Sequence, residues 1–229
     1  MSLSVSDLSD TALTQGIERL SSFTRLRRGL LALRQLRRNP NDTDAALTAA
    51  VWLNAGRLPR LAREFDATPE GCALMRERPS IDAEHIDLDA LGRLPEGTLG
   101  REYVQFLTSR NLSPEIFQAP RELRDEACRY AAQRVRQTHD LWHVLTGYDT
   151  DVIGEIELQA FTYAQLRMPF SLLVALFGVS RAGSWSPRLL RRIWAAYRRG
   201  RRAEPLLWRA WERRFSAPLS TLRHSLRLL

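Results

Sequence analysis

The chain has few or none of several residue types, and these absences narrow what the protein can be. None of its 34 basic residues is lysine, so every fixed positive side chain is an arginine. Two cysteines, Cys72 and Cys128, are too few for a disulfide framework and favour a reducing compartment. The N-terminus MSLSVSDLSD has no basic segment followed by an apolar one, and Asp7 and Asp10 are unusual in a transit peptide. We therefore expect a cytoplasmic protein.

Long apolar runs are also missing. The longest stretch without a charged residue, Met168–Ser180, has 13 residues, whereas a membrane-spanning helix needs about 20. No segment is therefore expected to cross a bilayer. The same stretch contains FSLLVALFGV, which fits an ordinary buried helix but also an apolar groove or a helix that dips into lipid.

The residues that are present favour an all-α protein with one helical domain. The 229 residues are enough to bury a core, and 44% of them are hydrophobic. Helix formers dominate, and no stretch alternates apolar and polar residues as a strand does. Segment 66–97 is rich in Pro, Gly and Asp and indicates short helices and turns. The predicted helices are 7–20, 24–38, 44–56, 98–109, 121–146, 151–166, 169–179, 187–199, 204–214 and 218–228.

The helix predicted at 121–146 has the clearest apolar stripe. Its apolar residues recur at steps of three and four, which predicts a deeply buried face. The residues in the stripe are Leu123, Ala127, Ala131, Val135, Thr138, Trp142 and Leu145.

Positive charge is concentrated in the C-terminal region. Residues 181–229 contain 13 arginines against two acidic residues, whereas residues 1–180 contain 21 against 24. We therefore divide the chain into a near-neutral helical domain, 1–180, and a basic helical tail, 181–229. Four tryptophans lie in the tail, where aromatic and basic residues together suit a membrane interface, ordinary packing or nucleic acid. They are Trp185, Trp194, Trp208 and Trp211.

A second basic stretch, FTRLRRGLLALRQLRR at 23–38, leaves two interpretations open. Leu26, Leu30, Leu33 and Leu36 fall near one face of the predicted helix, and arginines occupy the rest. This pattern fits an amphipathic packing helix with a solvated basic face. It also fits a surface helix that lies on anionic lipid.

The stretch HDLWHVLTGYDTDVIGE, 139–155, carries the candidate chemistry. If His139 defines zero on a helix, His143 lies at about 40°, Arg136 at about 60° and Asp140 at about 100°. These four side chains share one arc, and Arg134 points away from it. Gly147 can end the helix, and a returning antiparallel helix would bring Glu155 opposite His143.

Two histidines and a carboxylate form a plausible metal site, although polar packing between helices explains the spacing equally well. Such a set suits zinc with an open coordination position, or iron held by two histidines and one carboxylate. Glu157 lies about 200° from Glu155 on a regular helix and cannot share its role. His85, His224 and both cysteines are assigned structural roles.

The stretch RVRQTHDLWHVLTGYDTDVIGEIELQAF resembles the Coq4 family of ubiquinone-biosynthesis proteins, whose signature is His-Asp-x-x-His, eleven residues, then Glu. His139, Asp140, His143 and Glu155 match that signature position by position. ERPSI at 77–81, LPEGTLGREYVQFL at 94–107 and the later LRMPF also resemble the family. The resemblance is clearest over residues 75–180, and it favours the metal site over polar packing.

The resemblance implies a helical, peripheral membrane protein that binds Zn²⁺, with Fe²⁺ as the alternative, through His139, Asp140, His143 and Glu155. It also implies action on a polyprenylated hydroxybenzoate that loses its ring carboxyl at C1, either simply or with replacement by hydroxyl. The alternative is a non-catalytic lipid-binding scaffold that organises other ubiquinone-biosynthesis proteins. The expected location is an anionic inner membrane surface, on the matrix side in a mitochondrion, and nucleic acid is an unlikely partner.

Two residues are candidates for catalysis. Glu155 would face the substrate as well as the ion. Arg136 lies in the arc of the histidines and could hold the substrate carboxylate through its planar, bidentate guanidinium. Arg136 could instead pair with a nearby acid or face water.

Overall fold

The structure is a computed structural model that describes residues 16–38, 43–114, 119, 121–181 and 186–229. Within these ranges the chain is helical, and no β-strand occurs; one isolated bridge joins Thr98 to Pro218. In chain order the helices are α1 (Ser22–Arg38), α2 (Thr43–Asn54), α3 (Leu58–Phe65), α4 (Pro69–Glu77), α5 (Leu88–Gly92), α6 (Leu99–Ser109), α7 (Glu126–Thr146), α8 (Val152–Leu166), α9 (Pro169–Arg181), α10 (Pro187–Arg202) and α11 (Leu219–Ser225).

The all-α prediction is confirmed, but the helix predicted at 204–214 is wrong. The segment 204–214 consists of turns with one 3₁₀ turn, Trp211–Arg213. Pro205 cannot donate a backbone hydrogen bond, and Leu206 and Leu207 are both completely buried, so tertiary packing determines this segment. The helix predicted at 7–20 lies mostly outside the described residues, and its described end contains the 3₁₀ turn Ile17–Arg19.

Helix α7 begins and ends at residues that satisfy its free backbone groups. It starts five residues later than predicted because the Asp125 side chain accepts a hydrogen bond from Cys128 N (2.8 Å) and caps the first turn. It ends at Gly147, which adopts the left-handed conformation (φ 74°) and donates its N–H to His143 O. The loop 147–151 then leads directly into α8.

The predicted apolar face of α7 packs into the main core. Ala131, Leu141, Trp142 and Leu145 are buried there, and Thr138 is buried beside them. The core extends over α3, α6 and α8 and includes the completely buried Trp211. Segment 203–229 is therefore part of the same core as the rest of the described chain, whereas a boundary at residue 180 stays a prediction.

Arginines attach the C-terminal region to α7. Arg134, which has no exposed surface, forms a two-pronged ion pair with Glu212 and donates to Arg209 O (2.7 Å). Arg223 donates to the carbonyls of Val144 (2.8 Å) and Leu145 (3.0 Å), which are free at the end of α7. Arg199 donates to the next free carbonyl, Thr146 O (2.7 Å), and also binds Leu228 O.

Several helices expose apolar side chains to solvent. On α1, Phe23, Leu26 and Leu30 are exposed, so two of the leucines predicted to share a face are not covered by the described residues. Gly29 and Ala32 are buried instead, with Gly29 against Leu53 of α2. The exposed apolar residues on α9 and α10 are Leu172, Leu176, Leu190 and Trp194. No helix among the described residues is both long enough and apolar enough to span a bilayer.

Candidate metal centre

Three side chains meet where α7 ends and α8 begins. His143 Nε2 lies 3.1 Å from Glu155 Oε1, and His139 Nε2 lies 3.8 Å from Glu155 Oε2. One ligand atom from each of the three residues lies within 4.8 Å of the others. The helical arc that joined His139 to His143 in the sequence thus brings both beside Glu155. Within the described residues this is the group whose geometry could hold a metal ion.

The local sequence explains why Glu155 reaches His143. The Asp151 side chain accepts a hydrogen bond from Gly154 N (2.6 Å) and starts α8. Gly154 lies so close to the carbonyl of Asp149 that any Cβ would overlap it. The glycine therefore permits a tight turn, and Glu155 follows it in the first turn of α8.

Each histidine is oriented by an oxygen acceptor at its other ring nitrogen. His143 Nδ1 lies 2.9 Å from Tyr148 O, and His139 Nδ1 lies 3.3 Å from Asp140 Oδ1. A neutral histidine that donates its Nδ1–H leaves its Nε2 lone pair free. Both lone pairs then lie beside the Glu155 carboxylate, which is the arrangement of histidine ligands and their hydrogen-bonding partners in protein metal sites.

The distances fit the size of a coordination sphere. With Zn–N and Zn–O bonds of about 2.0–2.2 Å in a tetrahedron, neighbouring ligand atoms are about 3.4 Å apart. The separations of 3.1 and 3.8 Å between the Nε2 atoms and the Glu155 oxygens lie on either side of that value. The donor set and its spacing therefore fit a small divalent ion.

The electrostatics of the cluster also favour a cation. Burial alone would lower the pKa of His143, but the Glu155 carboxylate and the Tyr148 carbonyl outweigh it and raise that pKa. Burial raises the pKa of Asp140, yet the hydrogen bond to His139 and the charges of His139 and Arg136 bring that pKa below its ordinary value. Two carboxylates beside two histidines form a group of side chains that favours a cation.

The structure places Asp140 outside the three-residue group. Its carboxylate contacts the Nδ1 side of His139, on the side of the ring away from Nε2. In this geometry Asp140 orients His139 and is not one of the three candidate metal ligands. Its assignment as a fourth ligand stays a prediction.

Arg136 acts electrostatically on groups beside the histidines. Its charge helps lower the pKa of Asp140 and acts against the raised pKa of Tyr103. Its role toward a substrate stays a prediction. Arg134, by contrast, is on the buried side of α7 and is paired with Glu212. Its predicted direction, away from the arc of the histidines, is correct, and its side chain is fully buried.

Glu157 takes the separate position predicted for it. It is buried and forms a two-pronged ion pair with Arg192 of α10, at 2.6 and 2.7 Å. One carboxylate of α8 thus faces the histidines, and the other joins α8 to α10.

Sequence spacing did not identify the residues of α6 that form one wall of the site. The Phe106 ring stacks on the His143 ring, with centroids 5.5 Å apart and planes at 22°. Tyr103 is buried, and both burial and the charge of Asp140 raise its pKa, so it remains a neutral phenol. Both residues lie in LPEGTLGREYVQFL, and their apolar spacing predicts only a buried helix face.

The site is open on one side. The His143 side chain is only 1% exposed, whereas those of His139 and Glu155 are 25% and 37% exposed. A metal ion held by all three would therefore have protein behind it and free space in front. This is the arrangement of catalytic metal sites, which keep a coordination position for water or substrate.

The fold and the site together define a class of protein. Its members are all-helical, and two histidines and a glutamate meet at the junction of two helices. The family model for "Coenzyme Q (ubiquinone) biosynthesis protein Coq4" matches residues 20–229. The chain therefore belongs to the Coq4 family of ubiquinone-biosynthesis proteins, which confirms the resemblance and extends it to residues 20–74 and to the basic C-terminal region.

Individual relatives agree with this assignment. The chain is 36% identical over 190 residues to the rat protein named "Ubiquinone biosynthesis protein COQ4 homolog, mitochondrial", covering 82% of this chain and 72% of that one. The human protein of the same name gives 36% identity and the same shares of each chain. A crystal structure of a candidate ubiquinone-biosynthesis protein from Nostoc punctiforme superposes with a TM-score of 0.72 and 30% identity, covering 88% of this chain and 97% of that one.

Proposed function

We propose that the protein removes the ring carboxyl group at C1 of a polyprenylated hydroxybenzoate, with a divalent ion held by His139, His143 and Glu155. The observation that carries this proposal is the convergence of two histidine Nε2 atoms and one carboxylate on a point open to solvent. Asp140 either joins as a fourth ligand or holds His139 through Nδ1. Glu155, the most exposed of the three, is the ligand nearest to an arriving substrate.

Zinc is the first choice of ion, and ferrous iron is the alternative. Zinc commonly takes three protein ligands and one open position, and two histidines with one carboxylate also form the iron site of oxygen-using enzymes. When bound, either ion would polarise an oxygen atom of the substrate.

Arg136 is proposed to orient the substrate carboxylate. Its guanidinium offers a permanently charged, planar pair of donors, which fits a carboxylate better than a lysine does. Its proximity to Asp140 and Tyr103 supports a position at the edge of the metal cluster. The neutral Tyr103 hydroxyl would lie in the same area.

The overall reaction is balanced without a further group in its simple form. The bond between C1 and the carboxyl carbon breaks, carbon dioxide leaves, and a proton takes its place on the ring. In the oxidative form water would supply the hydroxyl group that replaces the carboxyl, carbon dioxide leaves, and molecular oxygen would take up the two electrons and become hydrogen peroxide. Assay under anaerobic conditions separates the two forms.

A prenylated substrate resides in a membrane, and we propose that exposed apolar and basic side chains bring the protein to an anionic bilayer. On α10, Leu190 and Trp194 are exposed among arginines, and Trp194 stacks on Tyr197 at 5.5 Å. Tryptophan and tyrosine rings favour headgroup depth, and arginines bind acidic lipid. The exposed Phe23 and Leu26 of α1 support the lipid-contact interpretation of that helix.

Metal analysis combined with a decarboxylation assay tests the proposed function. Purified wild type should contain about one divalent ion per chain and should release labelled carbon dioxide from a carboxyl-labelled prenylated hydroxybenzoate. His143→Ala should lose both properties. His224→Ala is the matched control, because His224 is exposed on α11, outside the cluster. Full metal content in His143→Ala would show that the site is wrong.

The same experiment separates the enzyme from the scaffold. A wild-type protein that holds the ion but releases no carbon dioxide, with or without oxygen, would favour a non-catalytic scaffold for other ubiquinone-biosynthesis proteins.

Arg136→Lys tests the substrate-orienting role. It should lower carbon dioxide release while metal content and folding stay intact. Arg129→Lys is the matched control, since Arg129 is an exposed arginine on the same helix.

A further inference from the structure

Arg110 lies outside the group formed by His139, His143 and Glu155, and it contacts the loop that follows α7. Arg110, just after α6, donates from Nη2 to Asp149 Oδ1 (2.7 Å) and from Nε to Thr150 Oγ1 (3.1 Å). The two contacts join positions about 40 residues apart in the chain. Arg110 therefore fixes the loop 147–151 to a helix other than the two that the loop connects.

That loop also determines how His143 is oriented. Tyr148 O, which accepts the hydrogen bond from His143 Nδ1, belongs to the residue just before Asp149. Gly154 packs against the backbone of Asp149 from the other side. A displacement of Asp149 would consequently move the Tyr148 carbonyl and rotate the His143 ring.

Arg110 supports His143 by a second route. Its guanidinium lies over the Phe106 ring, 4.3 Å from the centroid, and Phe106 stacks on the His143 ring. A guanidinium over an aromatic face is an attractive contact. One side chain thus touches both supports of His143, the loop that accepts its hydrogen bond and the ring that packs on its face.

The ion pair between Arg110 and Asp149 is exposed, so its effect on global stability should be small. The hydrogen bond from Arg110 is the main reason why the pKa of Asp149 lies below its ordinary value. Exposed ion pairs contribute little to folding. A local effect on His143 is therefore separable from an effect on the whole protein.

We propose that Arg110 is a positioning residue for His143, acting through Asp149 and Phe106 to aim Nε2 at the metal. This inference rests on the proposed metal centre, but its geometric part concerns His143 alone. Removal of groups that orient metal ligands typically weakens metal binding about 10–100-fold. Arg110 acts one contact further away, so the lower end, about tenfold, is expected.

A double-mutant cycle tests the proposal. Zn²⁺ affinity is measured by chelator competition for wild type, Arg110→Gln, Asp149→Asn and the double variant. Arg110→Gln should bind Zn²⁺ about tenfold more weakly, and Asp149→Asn should lose no more than that, because it leaves the contact of Arg110 with Phe106 in place. The double variant should be no weaker than Arg110→Gln, because the arginine substitution already removes the contact with Asp149. The visible spectrum of the Co²⁺-loaded protein should change in Arg110→Gln.

Arg213→Gln is the matched control. Arg213 pairs with Glu77 at 2.8 Å, and both side chains are exposed. Its loss should leave Zn²⁺ affinity and the Co²⁺ spectrum unchanged. Equal Zn²⁺ affinity in wild type and Arg110→Gln, or an equal loss in Arg213→Gln, would overturn the proposal.

A measurement on the metal-free protein separates the two hypotheses. The nitrogen-bound proton at His143 Nδ1, held by Tyr148 O, should give a protected NMR signal in wild type that is lost or exchanges faster in Arg110→Gln. Wild type could bind neither zinc nor ferrous iron while the His143 signal still depended on Arg110. That result would disprove the metal centre and support the positioning role of Arg110. An unchanged signal in Arg110→Gln would remove the positioning role whether or not metal binds.

Discussion

The two halves of the basic C-terminal region use their arginines in different ways. Helix α10 directs most of its arginines into solvent, next to the exposed Leu190 and Trp194. Segment 203–229 directs several of its arginines inward, as with Arg214 on Glu70 and Arg223 on the carbonyls of Val144 and Leu145. The exposed arginines of α10 are Arg188, Arg191, Arg192, Arg198, Arg201 and Arg202, of which Arg192 pairs with Glu157.

This difference shows that a charge count describes composition and not the surface. The sequence gives residues 181–229 a large positive excess, but arginines bound to carboxylates and carbonyls are not free to bind lipid. Arginine suits both purposes, because its planar fork makes several hydrogen bonds inside a protein and binds phosphate outside it. We therefore expect segment 203–229 to serve stability and α10 to serve the proposed membrane contact.

The largest expected effect comes from breaking the buried ion pair between Arg134 and Glu212. Glu212→Ala should lower the free energy of unfolding by about 3–5 kcal/mol, because it leaves a fully buried guanidinium without its carboxylate. Urea denaturation measures this loss. The neighbouring Arg213→Gln is the control and should change stability by less than about 0.5 kcal/mol. A loss below about 1 kcal/mol in Glu212→Ala would show that segment 203–229 is not held in the way described.

A smaller loss is expected at the end of α7. Arg223→Gln should lower the free energy of unfolding by about 1–3 kcal/mol, since the free carbonyls of Val144 and Leu145 lose a charged donor. Hydrogen exchange should accelerate in the last turn of α7, which contains His143. Arg227→Gln, at an exposed arginine, should leave both measurements unchanged. Unaltered exchange at α7 in Arg223→Gln would contradict the prediction.

The pair between Glu70 and Arg214 should give a pH-dependent contribution of still smaller size. Burial raises the pKa of Glu70, but hydrogen bonds from Ala210 N and Arg214 outweigh it, so the folded-state pKa lies below the ordinary 4.5. A lowered carboxylate pKa stabilises the fold above the unfolded-state value, and that stability is lost as the pH falls through the folded-state pKa.

Glu70→Gln should accordingly destabilise the protein at pH 7, and the difference from wild type should shrink as the pH falls below 4.5. Unfolding at a series of pH values measures it. The loss at pH 7 should stay below that of Glu212→Ala, because glutamine can still accept from Ala210 N. If the difference in stability between wild type and Glu70→Gln grew as the pH fell, the prediction would be wrong.

The smallest effect on stability is expected in α10, where the readout is membrane binding. Arg191→Gln should change the free energy of unfolding by less than about 0.5 kcal/mol. It should nevertheless reduce partitioning into anionic liposomes about fivefold, which corresponds to about 1 kcal/mol per arginine near the lipid surface. Arg214→Gln should show the reverse, with lower stability and unchanged partitioning. Equal effects of Arg191→Gln and Arg214→Gln on liposome partitioning would contradict the proposed difference between α10 and segment 203–229.

Features that depend on one helix and its period could be predicted from the sequence. The buried face of α7 with Trp142 and Leu145, and the grouping of His139 with His143, follow from about 100° per residue. The approach of Glu155 required one further element, a short loop with Gly147 at its start. The metal cluster was therefore accessible to local reasoning.

Features that depend on distant partners could not be predicted in this way. Periodicity assigns Arg134 to a face of α7, but it does not reveal Glu212 78 residues later. The stacking of Phe106 on His143 is hidden for the same reason. On α1 the pattern left open whether the leucines are covered. Leu26 and Leu30 are exposed, and the pattern could not decide this because exposure depends on which helices pack against α1.

The capping of α7 by Arg223 has a consequence for the order of events during synthesis. The side chain that donates to Leu145 O belongs to Arg223, which lies 78 residues further along the chain and is synthesised later. At about 5–20 residues per second, the ribosome needs several seconds to produce it. During that interval the turn that carries His143 lacks this donor, and hydrogen exchange on stalled nascent chains should find it frayed until Arg223 has emerged. Binding of the proposed ion would then be a late event for each molecule, because it would depend on translation as well as on the supply of ions.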